Sequence, residues 1–401
     1  MRDRKPFRPS AAAISLLSAT GLSLAASVAC SSSEDSSSPN ATPSDLSADG
    51  AGAENLAPSD DAGASLGAPR VYVGSGDGKI RLYSFDTTTY ALTLIDTVDS
   101  GKAPSFLAFD PDRHFAYAVA DQQEQLRSFS VAPSTGKLTS LQTIDSKGSG
   151  PTYIGLDRAG QLAMVANYGG GTIALFPRLA DGRLGESSAT RSFGDSAQTH
   201  EIVIDPTNTF VYVPNKGLDR VSIFRRDGDT LTDVGSVASG DGPRHMDFDR
   251  LGPHVYVIDE NGSTVSAFTS NASTGALTPL QTVSSLPAGY DGGTNTGAEI
   301  QVLPDSRHLI VSNRGDNSLV VFDIDASSGK LTWRARVPTG GATPRHFQVE
   351  STGRFLFVGN EGSGSVVVMT VDQATGVPTP VGSPLAVPSP SYVGLVYLPT
   401  P

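Results

Sequence analysis

Residues 199–215 read THEIVIDPTNTFVYVPN. Two short apolar runs, Ile202 to Ile204 and Phe210 to Val213, flank an Asp-Pro-Thr-Asn turn signal, so the stretch reads as two strands joined by a tight turn. The same phrase recurs along the chain as PSFLAFDPDRHFAYAVA from Pro104, PTYIGLDRAGQLAMVAN from Pro151, PRHMDFDRLGPHVYVID from Pro243, AEIQVLPDSRHLIVSN from Ala298 and PRHFQVESTGRFLFVGN from Pro344. Each copy continues into a third strand such as TVSAFTS or SLVVFDI and a fourth such as LTPLQTV or LTSLQTI. The seventh copy is divided between PSYVGLVYL from Pro390 and PRVYVGS from Pro69. Seven copies over residues 69–401 take about 48 residues each, the length of a four-stranded blade. The strand-period pattern excludes a helical repeat. The reading is an all-β, seven-bladed propeller with four-stranded antiparallel blades, its ring closed by pairing the N- and C-terminal strands in one blade, which removes an exposed edge.

Outside the repeats the sequence changes character. Arg2, Arg4, Lys5 and Arg8 precede an uncharged stretch at residues 11–29, so 1–29 reads as a signal peptide. The only cysteine follows it, in Ser27-Val28-Ala29-Cys30, which resembles a bacterial lipobox apart from Ser27; Cys30 is the expected lipidation site. Residues 30–68 are rich in Ser, Ala, Gly and Pro, with seven acids and no Lys or Arg before residue 69, and read as a disordered acidic tether. The expected organisation is therefore an exported domain, 69–401, held to the bacterial envelope, at the outer membrane or periplasmic face, through lipidated Cys30. A net charge of −12 argues against nucleic acid as a partner. One cysteine excludes an intramolecular disulfide framework and any multi-cysteine metal site. A closed ring needs no second copy for stability, so a monomer is expected.

In a propeller the start of the first strand and the end of the second meet on one face, at the mouth of the central channel. Around the ring these positions hold, among others, Asn167-Tyr168, His200-Glu201, Arg244-His245, Asp259-Glu260, Ala298-Glu299, Asn313-Arg314 and Arg345-His346. Three of the six histidines, His200, His245 and His346, fall here, whereas His114, His254 and His308 lie in the turn or at the start of the second strand, on the far face. A one-sided gathering of imidazole, guanidinium and carboxylate over a concave mouth is a binding site by default. Imidazole exchanges protons near neutral pH, and arginine holds a carboxylate or an oxyanion.

The phrases from Thr199, Pro243, Ala298 and Pro344 resemble the seven-bladed lactonase family, which includes propeller-type 6-phosphogluconolactonases and the fungal carboxy-cis,cis-muconate cyclase. The likeness covers residues 69–401 and is strongest from Thr199 to Glu361. It implies a hydrolase that opens the ring of a sugar-acid or other carboxylated lactone, with no cofactor and no metal. By motif it implies a catalytic set of His200 (THEI), Arg244 (GPRH), Glu260 (VIDE) and Arg314 (SNRG). Glu299, His245, Asn313, Arg345, His346, Asn167 and Tyr168 are the expected substrate-binding neighbours. The chain departs from the family at Asn215-Lys216, Asp259 and Asp316. A surface-displayed propeller that binds an envelope ligand or protein through the same mouth, without catalysis, is the alternative, because fold does not establish chemistry. The Gly-rich segment 285–296, SLPAGYDGGTNT, reads as a loop able to cover the mouth.

Overall fold

The computed structural model describes residues 67–399, all within one compact unit, Ser47–Pro401. The expected signal peptide, Cys30 and the tether as far as residue 66 lie outside the described residues. Seven four-stranded antiparallel sheets form the domain. Six are continuous in sequence: blade 1 (107–145), blade 2 (151–192), blade 3 (203–238), blade 4 (243–284), blade 5 (296–338) and blade 6 (344–386). Blade 7 takes its first strand from Pro390–Tyr397 and the other three from Pro69–Ser75, Lys79–Phe85 and Leu92–Asp99. Its closing pair is antiparallel, with Pro69 opposite Tyr397 and Tyr72 opposite Gly394. The expected fold, including its closure, is the one observed. Among the described residues no helix is long and apolar enough to cross a membrane.

Burial follows position within the blade. Second strands such as Phe210–Asn215 and His254–Asp259 are buried throughout, because blades cover both faces, whereas the fourth strand Leu138–Asp145 is largely exposed at the outer edge. The acid that ends the first strand builds the turn that follows. Asp205 Oδ1 accepts from the amides of Thr209 and Phe210, both at 2.8 Å, and Asp157 Oδ1 from Gln161 (2.6 Å) and Leu162 (2.8 Å). This is the physical content of the recurring Asp-Pro and Asp-x-x-Gly.

Neighbouring first strands splay apart and share no backbone ladder, so side chains satisfy amides across the gap. Glu201 Oε2 accepts from the Met246 amide at 2.7 Å, Asp247 Oδ2 from Val302 at 2.8 Å, and Gln301 Oε1 from Val349 at 2.8 Å. Gln348 Oε1 accepts from the Leu395 amide, and His346 Nδ1 from Val393 at 3.2 Å. Further out, four buried tyrosines of second strands tie consecutive blades together. Tyr72, Tyr117, Tyr212 and Tyr256 donate to the carbonyls of Gly136, Gly182, Gly275 and Gly329 at 2.7, 3.0, 2.8 and 3.0 Å.

Candidate active site

The mouth residues owe their position to a local irregularity. In blades 2, 4, 5, 6 and 7 the pairing of first and second strands slips where the first strand begins, for example between Pro243 and His245 and between Pro344 and His346. The additional residue is Arg244 in blade 4 and Arg345 in blade 6, while in blade 5 the slip spans Ala298 and Glu299. A bulge re-aims its side chain out of the regular alternation, which is how adjacent residues such as Arg244 and His245 both enter the site. In blade 3 the regular first strand is only Val203–Ile204, and His200 sits ahead of it, its amide bonded to the Pro214 carbonyl at 3.1 Å.

One carboxylate gathers three cations. Glu260 Oε1 lies 2.7 Å from Lys216 Nζ, and its Oε2 lies 3.1 Å from Arg244 Nε and 3.0 Å from an Arg314 terminal nitrogen. The guanidinium groups are also fixed by backbone, Arg244 donating to the Ala298 carbonyl at 2.6 Å and Arg314 to Gly297 at 2.9 Å. Burial by itself would raise the Glu260 pKa, but Arg244, Arg314 and Lys216 together hold it at about 2, so this carboxylate stays ionised. Burial, reinforced by Arg314, lowers the Arg244 pKa to about 10, against the pull of Glu260. Lys216 also reaches the Tyr168 hydroxyl at 3.4 Å, and Arg345 lies 3.8 Å from Glu361.

Beside this cluster stand the histidines, each buried. The His200 ring packs edge to face on Tyr168 and His245, with centroids 5.5 and 5.0 Å away, and its Nδ1 has no hydrogen-bond partner among the described residues. Burial, then the positive charge of Arg244, pushes the His200 pKa well below 6.5, and the same two causes act in the same order on His245. Both are neutral imidazoles at physiological pH. His245 Nδ1 lies 2.9 Å from Glu299 Oε2, and His346 Nε2 lies 3.6 Å from the same oxygen. Burial depresses His346 to about 4 despite Glu299, and burial raises the Glu299 carboxyl despite His346 and Arg244. Phe106 packs against Tyr153, Tyr392, His346 and His245 with centroids 4.2, 5.3, 5.6 and 6.0 Å away. The centre is thus aromatic toward blades 1, 2 and 7 and polar toward blades 3 to 6.

Of the residues expected at the site, the structure brings His200, Arg244, Glu260, Arg314, Tyr168, His245, Glu299 and His346 into one contact network. Asn167 and Asn313 are fully enclosed and hold the connections that lead into their blades from the preceding ones. Asn167 donates to the Ser146 carbonyl at 3.1 Å, and Asn313 to Ser285 at 2.7 Å while accepting from the Ser285 hydroxyl and the Asn295 amide. Segment 285–296 is pinned at both ends by these bonds and exposed at 291–294. The far-face histidines are structural or exposed: His254 pairs with Asp249 at 3.2 Å, His308 with Asp305 at 2.7 Å, and His114 is exposed. Lys216 was absent from the expected site residues. Its signal was register, because it directly follows the end of its second strand as Glu260 follows its own.

Comparison with known proteins gives a consistent result. The family model described as "Lactonase, 7-bladed beta-propeller" matches residues 70–395. A 6-phosphogluconolactonase of Bacillus subtilis is 30% identical over 294 residues, covering 69% of this chain and 83% of its own length. One from Formosa agariphila is 28% identical over 305 residues, covering 69% and 85%. Among solved structures, the periplasmic gluconolactonase of Pseudomonas aeruginosa superposes with a TM-score of 0.77 at 28% identity, covering 84% of this chain and all of that one.

Proposed function

The chain belongs to the seven-bladed β-propeller lactonase family, and on that premise we propose that it hydrolyses the ring ester of a sugar-acid lactone or another carboxylated lactone. The observation that carries this reading is the Arg244–Glu260–Arg314 cluster set beside a buried, neutral His200. Ester hydrolysis needs a group that can take a proton near neutral pH and positive charge where the carbonyl oxygen becomes an oxyanion. A neutral imidazole of the group around His200 supplies the first, and the guanidinium groups supply the second or hold a substrate carboxylate. Glu260, ionised between three cations, is a poor proton carrier; it fixes Arg244 and Arg314 for their task. Tyr168, Arg345 and Lys216 line the approach and favour an anionic substrate.

The substrate reading goes further than the names of the relatives. In this reading a basic, apolar leader ahead of Cys30 directs the domain out of the cytoplasm, where phosphorylated sugar lactones are made. A non-phosphorylated aldonolactone is therefore the preferred substrate, and the periplasmic gluconolactonase among the similar structures supports this choice. In this reading residues 1–29 are removed, Cys30 carries the lipid, and 30–68 spaces a monomeric domain, 69–401, from the membrane. Incorporation of labelled palmitate that disappears in Cys30→Ala checks the anchor; equal labelling of the variant refutes it.

The decisive assay follows acid release by the purified full chain with gluconolactone, 6-phosphogluconolactone and muconolactone-type substrates, alongside His200→Ala. Hydrolysis above background that falls at least about 100-fold in the variant is expected. A folded wild-type protein inactive on every lactone, or an unimpaired variant, overturns the assignment.

A further inference from the structure

The proposed chemistry places His200 beside the reacting ester, yet among the described residues its Nδ1 has no hydrogen-bond partner, and the charges acting on the ring are those of Arg244, Arg345 and Arg314. An imidazolium there would be opposed by burial and by the charges of Arg244, Arg345 and Arg314. The neighbouring ring is differently furnished. His245 directs Nδ1 to Glu299 Oε2 at 2.9 Å, both residues being only 3% exposed, while Glu299 Oε1 accepts from the Ile300 amide at 2.9 Å. On the other side of Glu299, His346 Nδ1 accepts the Val393 amide, so its neutral ring carries the proton on Nε2, toward Glu299. A carboxyl facing two imidazole N–H groups and one amide is the arrangement that holds the proton on His245 Nδ1 and leaves the Nε2 lone pair open. No hydrogen bond within the described residues engages that Nε2. The ring packs 5.0 Å from that of His200, centroid to centroid.

We propose, building on the lactonase reading above, that His245 is the proton-transferring residue of the reaction and Glu299 its positioning residue, with neutral His200 donating a hydrogen bond to the carbonyl oxygen. A water O–H proton passes to His245 Nε2 as the water oxygen bonds the lactone carbonyl carbon. The carbonyl π pair moves to oxygen, where His200 and the arginines meet the charge. Collapse of that oxyanion breaks the bond to the ring oxygen, which takes the proton back from His245 and leaves a hydroxy acid. One water is consumed and the imidazole is regenerated. Glu299 stabilises the transient imidazolium; a carboxylate holding a histidine's tautomer and charge is a general device of hydrolases.

The groups that face or act electrostatically on His245 are Arg244, Arg345, Glu260, Glu299, His346 and His200, with Phe106 and Tyr153 packed on the ring. Arg244, His346 and Arg345 oppose its protonation and Glu260 and Glu299 favour it, so the acid limb of kcat against pH reports the balance. Steady-state kinetics on gluconolactone from pH 4 to 9 with wild type, His245→Gln, Glu299→Gln and Glu299→Asp tests the proposal, with circular dichroism confirming the fold. His245→Gln is expected to lower kcat about 100-fold with KM within a few-fold. Glu299→Gln keeps a hydrogen-bond acceptor but removes the charge, so the acid limb moves to lower pH and kcat falls about tenfold, with part regained in Glu299→Asp. Folded variants with wild-type kcat and an unmoved limb overturn the proposal while leaving the lactonase reading intact; a wild type inactive on every lactone overturns both. Should the variants fail to fold, 15N shifts of the wild-type histidines decide, because an Nε2-protonated His245 is incompatible with the proposal.

Discussion

Glu260 shows how a single side chain can be read for both structure and chemistry. Three cations converge on it while it is nearly buried, so removing its charge leaves Arg244 and Arg314 without their counter-ion. Glu260→Gln is expected to cost about 3–5 kcal/mol in urea unfolding at pH 7. The sign of the pH dependence follows from its depressed pKa. Held at about 2 instead of 4.5, Glu260 contributes stability that is complete above about pH 4.5 and lost as pH falls toward 2. The variant should therefore approach the wild type in stability on acidification; a constant difference from pH 7 to pH 2.5 would show that the charge is not the cause. Lys216→Met leaves both arginines in place and is expected to raise KM for an anionic lactone about fivefold, close to 1 kcal/mol, with kcat little changed. His200, Arg244, Glu260 and Arg314 were legible in the sequence because first strands begin, and second strands end, on the same face of the ring. Lys216 stands at the same register, but its bond to Glu260 was not legible, because that partner belongs to the next blade and the contact depends on how blades 3 and 4 pack.

The blades carry their own lesson in the tyrosine ties. Tyr72, Tyr117, Tyr212 and Tyr256 occupy one position in four copies of the repeat, whereas Met164, Ile310 and Phe357 fill it in blades 2, 5 and 6. The recurrence was visible, but the acceptor was not, since each hydroxyl reaches a turn glycine 63 to 73 residues further along. Tyr256→Phe leaves the Gly329 carbonyl without its donor and is expected to cost about 1–3 kcal/mol in urea unfolding. Gly329→Ala should cost more. Its φ is +66°, and a Cβ there would stand 2.2 Å from the His254 ring, which cannot retreat from a buried contact with Asp249. The strand pattern thus disclosed each blade's interior, while the bulges that turn Arg244 and Arg345 into the mouth left no trace in it, because one additional residue at a strand end does not disturb the apolar runs.

The whole ring was legible because its seventh copy is divided between the two ends of the chain, and the structure joins them strand to strand. Ending the chain at residue 389 would remove Pro390–Tyr397, strip the first strand from blade 7 and expose the edge of Pro69–Ser75. Such a chain is expected to lose cooperative unfolding and to aggregate; a sharp urea transition at the wild-type midpoint would show that closure is dispensable. The same joint sets a timetable for biosynthesis. The first strand to leave the ribosome in this domain has as its partner the last one to be translated, so six blades can take shape while the seventh waits for the final codons. For the gene that encodes it, a nonsense mutation a dozen codons from the end is then nearly as severe as one at the start.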